Sequence, residues 1–206
     1  MSNEQIAFAL SRIGVLLKSQ AWEQAEPLGT NPTQAQILSR VMTRGPSRVR
    51  DLAADLGVSQ PTVSDAVAAL VRKGLLDRAP DPGDGRAVRL HLTLHGRQVA
   101  QVVMAPPPVL IQALDTLAPA DRNAIQRALV GVIRALQQAR AIPVQRMCVT
   151  CAHFRPHTHN DADSPHHCAF VNTAFGDADL RIDCGDHEDA TPDSLAPLWA
   201  QFSRVG

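Results

Sequence analysis

Cys148 and Cys151 stand two residues apart, Cys168 and Cys184 follow at longer intervals, and the 206-residue chain has no other cysteine. Six of its eight histidines share the same final stretch, which is otherwise polar. Crowded thiolates repel one another unless a cation lies between them, so a metal centre is expected to take the place of a hydrophobic core here. Disulfides are the competing use of an even cysteine count. The N-terminus, however, has no charged start followed by an apolar run and a small-residue cleavage site, and no stretch approaches the roughly 18 apolar residues of a membrane span. A reducing cytoplasm, no membrane and metal ligation are therefore expected.

Charge divides the chain in the same place. Residues 1–147 carry 17 Lys and Arg against 11 Asp and Glu, whereas residues 148–206 carry 3 against 9. A basic body suits a polyanion such as DNA, and an acidic tail does not. The boundary is drawn at 141/142, with a body over 1–141 and a cysteine-rich metal-binding module over 142–206. Aromatic residues make up 3% of the chain, so the body's core must be Leu, Val, Ile and Ala, which at helical spacing favours packed helices.

Ile6, Leu10, Ile13 and Leu17 mark a helix over 3–19, with Ala9 and Leu16 widening its apolar stripe. Pro27, Gly29 and Pro32 break the pattern, and Thr33 can cap or open a second helix that ends at Gly45-Pro46. Arg48 to Leu56 predicts a third helix stopped by Gly57, and Ser59 caps a fourth with Pro61 in its first turn. The pair forms a helix-turn-helix. From Leu76 the period becomes two, and the tip Asp81-Pro82-Gly83-Asp84-Gly85 with the return run Val88, Leu90, Leu92 predicts a hairpin. A helix from Thr93, interrupted at Pro106-Pro107-Pro108 and resumed over Val109–Leu117, and an amphipathic helix over Asp121–Ala141 complete the body.

A helix-turn-helix followed by a hairpin, with Asp84-x-Arg86 at its tip and Leu92-Thr93-x-x-Gly96 opening the next helix, resembles the MarR family of winged-helix regulators over residues 3–140. The resemblance implies a mainly α fold with a small β-hairpin wing, and a homodimer in which the helices over 3–19 and 121–141 interlock. Two reading helices would then lie about 34 Å apart on a double-stranded inverted-repeat operator.

The physics of the segment agrees. Ser59, Gln60, Thr62 and Ser64 offer short polar groups and amide dipoles to a groove; Gln60 can pair with an adenine edge and the Thr62 methyl can touch a thymine methyl. Arg86 at the wing can enter a narrow minor groove or fork onto phosphate, with Asp84 holding its direction. Arg89, Arg72, Lys73, Arg48 and Arg50 are candidate phosphate contacts.

The cysteine spacing and the flanks Cys151-x-x-Phe154 and Cys168-x-Phe170 are similar to the cluster-binding region of high-potential iron-sulfur proteins, which implies a [4Fe-4S] cluster on Cys148, Cys151, Cys168 and Cys184. Phe154, Phe170 and Phe175 could screen it from water, with His167 as a supporting donor. The rival is Zn2+, either on all four cysteines or on Cys148, Cys151, Cys184 and His187, which leaves Cys168 spare. With no nucleotide fingerprint or nucleophile triad, an enzyme or electron carrier ranks behind a regulator whose cluster is a redox or cluster-status sensor. A structural zinc brace with a small organic effector is the other regulator reading.

Overall fold

The computed structural model describes residues 3–204 and divides into two compact units, Met1–Gln112 and Ala113–Gly206. In the first, α1 (Asn3–Ala25) runs beyond the predicted stripe. Gln and Glu, good helix formers, carry it past the last apolar residue of the stripe until Pro27 breaks it into a short 3₁₀ turn. The cap of α2 (Pro32–Arg44) is Asn31 rather than Thr33: the Asn31 side chain accepts from the Gln34 N–H at 2.9 Å, and Pro32 takes the first turn.

The helix-turn-helix is formed by α3 (Val49–Leu56) and α4 (Gln60–Arg72). Gly57 makes the turn at φ 65°, donating to the Ala53 and Ala54 carbonyls, and Ser59 then accepts the Thr62 N–H. Strands β1 (Leu76–Asp81) and β2 (Asp84–Leu92) pair antiparallel from Leu76 opposite Leu92, with a shift at Pro80/Asp81 where the wing turns. Thr93 caps α5 (Leu94–Met104), accepting from Gly96 N at 2.9 Å and donating to Gly74 O at 2.7 Å. A Cβ on Gly96 would lie 1.9 Å from the Leu75 carbonyl oxygen, so only glycine lets α5 seat on the strand entry. Ile37, Leu38, Leu52, Val63, Val67, Leu70, Leu76, Leu90 and Val99 close one core beneath the wing. Each such burial stabilises by about 1.5–3 kcal/mol.

The second unit begins in α6 (Pro108–Asp115) and is built on α7 (Pro119–Gln138), which ends where Arg140 turns left-handed at φ 56°. A 3₁₀ turn over Cys148–Thr150 leads into a three-stranded antiparallel sheet, β3 (Phe154–Arg155), β4 (His166–Cys168) and β5 (Thr173–Phe175), with β4 central. A second 3₁₀ turn over Asp177–Asp179 and α8 (Pro192–Ser203) follow.

This unit corrects the expectation of a segment with no apolar core. Val130 of α7, Met147, Val149, Phe154, Leu180 and Phe202 of α8 are all buried together. Phe154 and Phe202 meet edge to face at 5.9 Å, Trp199 packs on Phe202 at 5.6 Å, and Arg134 lies over the Trp199 ring at 4.3 Å. Fully buried His166 is satisfied at both nitrogens: Nδ1 accepts the His157 N–H at 3.3 Å, so Nε2 carries the proton it donates to Asp177 at 2.8 Å. Burial lowers its pKa, with Asp177 acting against that.

Candidate functional site

The first turn of α4 stands clear of its core. Ser59, Gln60 and Thr62 are exposed and Ser64 is half-buried, while Val63, Val67 and Leu70 on the opposite face are sealed. The Ser59 and Thr62 hydroxyls are 2.7 Å apart and help close the turn, and Gln60 is exposed beside them. Arg86 is exposed at the wing. Asp84 fixes its backbone rather than its guanidinium, accepting the Arg86 N–H at 3.1 Å, which leaves the side chain to reach outward.

Several of the other candidate phosphate contacts have partners within the protein. The Lys73 ammonium donates to Gly29 O at 2.6 Å and to Gln34 Oε1 at 2.8 Å, joining the end of α4 to α2. Arg50 lies beside Asp51 at 3.3 Å, and Arg72 is exposed at the far end of α4. Arg48 and Arg89 each place Nε 2.7 Å from Oδ2 of Asp81, a residue that sequence reasoning treated only as part of the tip. The Asp81 side chain is wholly inaccessible and also accepts the Gly83 N–H at 2.8 Å. Hydrogen bonds from Arg48 and Arg89 hold its carboxyl far below the usual carboxylate range. The signal for it was the sequence Asp81-Pro82-Gly83, an Asx turn in which the carboxylate faces back into the wing.

In the second unit all four cysteines line one cavity of about 330 Å³. They are free thiols, with Cys151 buried and the others half-buried. Burial pushes the Cys148 thiol up to about 11; the Arg181 N–H opposes this and the three neighbouring thiols add to it. Phe154, Phe170 and Phe175 form apolar wall, as expected, although Phe170 is 51% exposed. Asp179, Asp186, His153 and Arg181 complete the polar part of the lining. The buried Nε2 of His153 has no hydrogen-bond partner, although a Glu188 oxygen lies 3.2 Å away in poor geometry. Among the described residues, no three His, Cys, Asp or Glu side chains are gathered as a single ion would require.

The histidines offered as extra ligands are engaged elsewhere. His187 Nε2 is 3.0 Å from Thr150 Oγ1, and His167 Nδ1 is 3.2 Å from His159 Nε2; neither lines the cavity. Arg181 escaped the sequence reading, although it is the only basic residue between Cys168 and Cys184.

A further concavity of about 440 Å³ between α1 and α2 is lined by Leu17, Lys18, Trp22 and Asn31 among others. Among the described residues no helix is long and apolar enough to cross a membrane.

Residues 28–87, from the turn before α2 to the wing, match the MarR family model. The chain is 36% identical over 70 residues to the uncharacterized HTH-type transcriptional regulator YkoM of Bacillus subtilis (strain 168), a match covering 34% of this chain and 46% of that protein. Its match to a second regulator of that organism, YsmB, is 25% identical and covers 47% of this chain and 66% of the relative. The chain thus spans about half to two thirds of the curated relatives it matches. Streptococcus pneumoniae FabT, solved in complex with DNA, superposes with a TM-score of 0.59 at 18% identity, covering 67% of this chain and 99% of that one. A mutant of S. aureus MepR gives 0.52 at 22% identity, covering 63% and 97%. The N-terminal part of the chain has their winged-helix fold, and residues 28–87 within it are similar to the MarR family.

Proposed function

We propose that this chain is a DNA-binding transcriptional regulator that grips an inverted-repeat operator as a homodimer and carries a [4Fe-4S] cluster as its sensor. The observation that carries the first part is the exposed first turn of α4, together with an exposed Arg86 in the wing, on a fold shared with a protein solved in complex with DNA. The dimer is supported by α1, where Ile6, Phe8, Leu10, Ile13 and Val15 are all exposed and only Ala25 is buried. A helix so apolar needs a partner surface.

The cluster is supported by the cavity. A tetrahedral zinc ion with bonds of about 2.3 Å draws its sulfurs to roughly 4 Å apart and leaves no room between them. Four free thiols around about 330 Å³ fit a polynuclear group better. Cys148, Cys151, Cys168 and Cys184 would hold it, and it would supply a one-electron redox centre sensitive to oxidants.

The readout runs through α7. On one face Gln126 donates to Leu180 O at 2.5 Å, and Arg127 donates to Phe202 O at 2.5 Å and pairs with Asp177 at 3.5 Å. On the other face Ile125, Val132 and Leu136 are 40–45% exposed and available to a second copy. A change at the thiols therefore reaches the segment 177–184, and through it the helix that meets the partner. The concavity holding Trp22 gives a second reading, a small organic effector, its footing.

The test is operator selection from genomic fragments by the anaerobic protein, followed by binding titrations at several salt concentrations with and without the cluster. Steeply salt-dependent binding that differs between the two forms is expected. Equal affinities would remove the sensor, and salt-independent or absent binding would remove the regulator.

A further inference from the structure

We infer that Arg181 is a positioning residue for the group held by the four cysteines, tying two of its ligands and raising the potential at which that group accepts an electron. This rests on the cluster reading above. Arg181 donates its backbone N–H to Cys148 Sγ at 3.3 Å and its guanidinium to Cys184 Sγ at 3.9 Å. One residue thus bridges the first and last cysteines of the set. Among the described residues it is the only Lys or Arg lining the cavity, where Asp179 and Asp186 add negative charge. A four-thiolate iron-sulfur centre is an anion that becomes more negative on reduction, so a fixed cation and N–H donors at its sulfurs favour the reduced form. Arg181 is exposed, so salt weakens this charge effect.

The two contacts are separable. Substitution removes the guanidinium contact and leaves the backbone N–H to Cys148 in place, so assembly and tuning can be read independently. The adjacent Leu180 carbonyl is the acceptor for Gln126, which connects this same stretch to α7.

The experiment uses the full chain and its Arg181→Lys and Arg181→Gln variants, each loaded anaerobically with ferrous iron and sulfide and titrated with redox mediators while visible absorbance is followed. Arg181→Gln is expected to hold the same iron and sulfide but shift its oxidised-to-reduced ratio about tenfold toward oxidised at a fixed potential, about 59 mV for a one-electron couple. Arg181→Lys should fall between it and the wild type, and added salt should narrow the gap. Cluster loss in Arg181→Gln with retention in Arg181→Lys also supports the charge role. A wild-type potential in fully loaded Arg181→Gln overturns the inference, as does cluster loss in both variants, which would mark a purely structural role. A wild-type chain that takes up no iron and sulfide defeats the cluster reading itself, before any variant is compared.

Discussion

Arg48 donates through Nε to the buried Oδ2 of Asp81 at 2.7 Å, so the N-cap residue of α3 is fastened to the turn of the wing. Arg89 reaches the same oxygen from β2, and the resulting clamp fixes the wing's angle to the helix-turn-helix. Asp81→Asn should lower Tm by several degrees and weaken operator binding. The folded carboxyl pKa is depressed, so its stabilisation is present above the ordinary carboxylate range and is lost as pH falls through the depressed value. The Tm gap between wild type and variant should therefore be full at neutral pH and close below about pH 4, as followed by thermal melts across a pH series.

Arg86→Ala should weaken operator binding about tenfold and reduce the slope of log affinity against log salt by about 1 for each copy in contact. Lys73→Ala is the control. Its ammonium is held by Gly29 and Gln34, so it should lower stability while leaving the salt slope unchanged. Anisotropy titrations at four or five salt concentrations separate the two; equal slopes for Arg86→Ala and wild type would place Arg86 off the DNA.

Gly96→Ala should destabilise the first unit by about 1–3 kcal/mol despite alanine's better helix propensity, because its Cβ would fall 1.9 Å from the Leu75 carbonyl oxygen. Urea denaturation monitored at the helical signal gives the answer. A neutral or stabilising result would mean that α5 can slide without cost.

How much of this was open to sequence reading depended on how local the causes were. The Gly57 turn, the Ser59 cap, the helix start at Thr93 and the hairpin with its turn over 81–85 are set by neighbours within a few residues, and each was legible. So was the co-location of the four cysteines around one cavity, which a shared metal centre would require whatever the fold between them. α8 was not legible: it holds Pro197 in its interior and is fixed by packing Phe202 on Phe154, far away in sequence. The strands of the small sheet are two or three residues long, too short to display a period. Arginines near a helix-turn-helix read as phosphate contacts from composition alone; only the fold reveals that Asp81 engages Arg48 and Arg89.

Phe202→Ala should cost about 3–5 kcal/mol in the second unit, since the ring is 1% exposed and meets Phe154, Trp199 and the Arg127 guanidinium, the last at 4.6 Å. Hydrogen exchange should show amides of residues 148–190 losing protection while α2 to α5 keep theirs. Uniform loss throughout the chain would contradict the division into two separately cored units.

The dependence of the thiol-bearing sheet on a helix made after it also orders events during synthesis. The winged-helix core draws on residues no later than Val103, and it can fold while the remainder is still being translated. The pouch around the sulfurs closes only after Phe202 has left the ribosome. On the cluster reading proposed above, an iron-sulfur group would be delivered late, to a nascent polypeptide whose winged-helix core can already have formed, so iron supply would govern how much of the protein matures rather than how much is made.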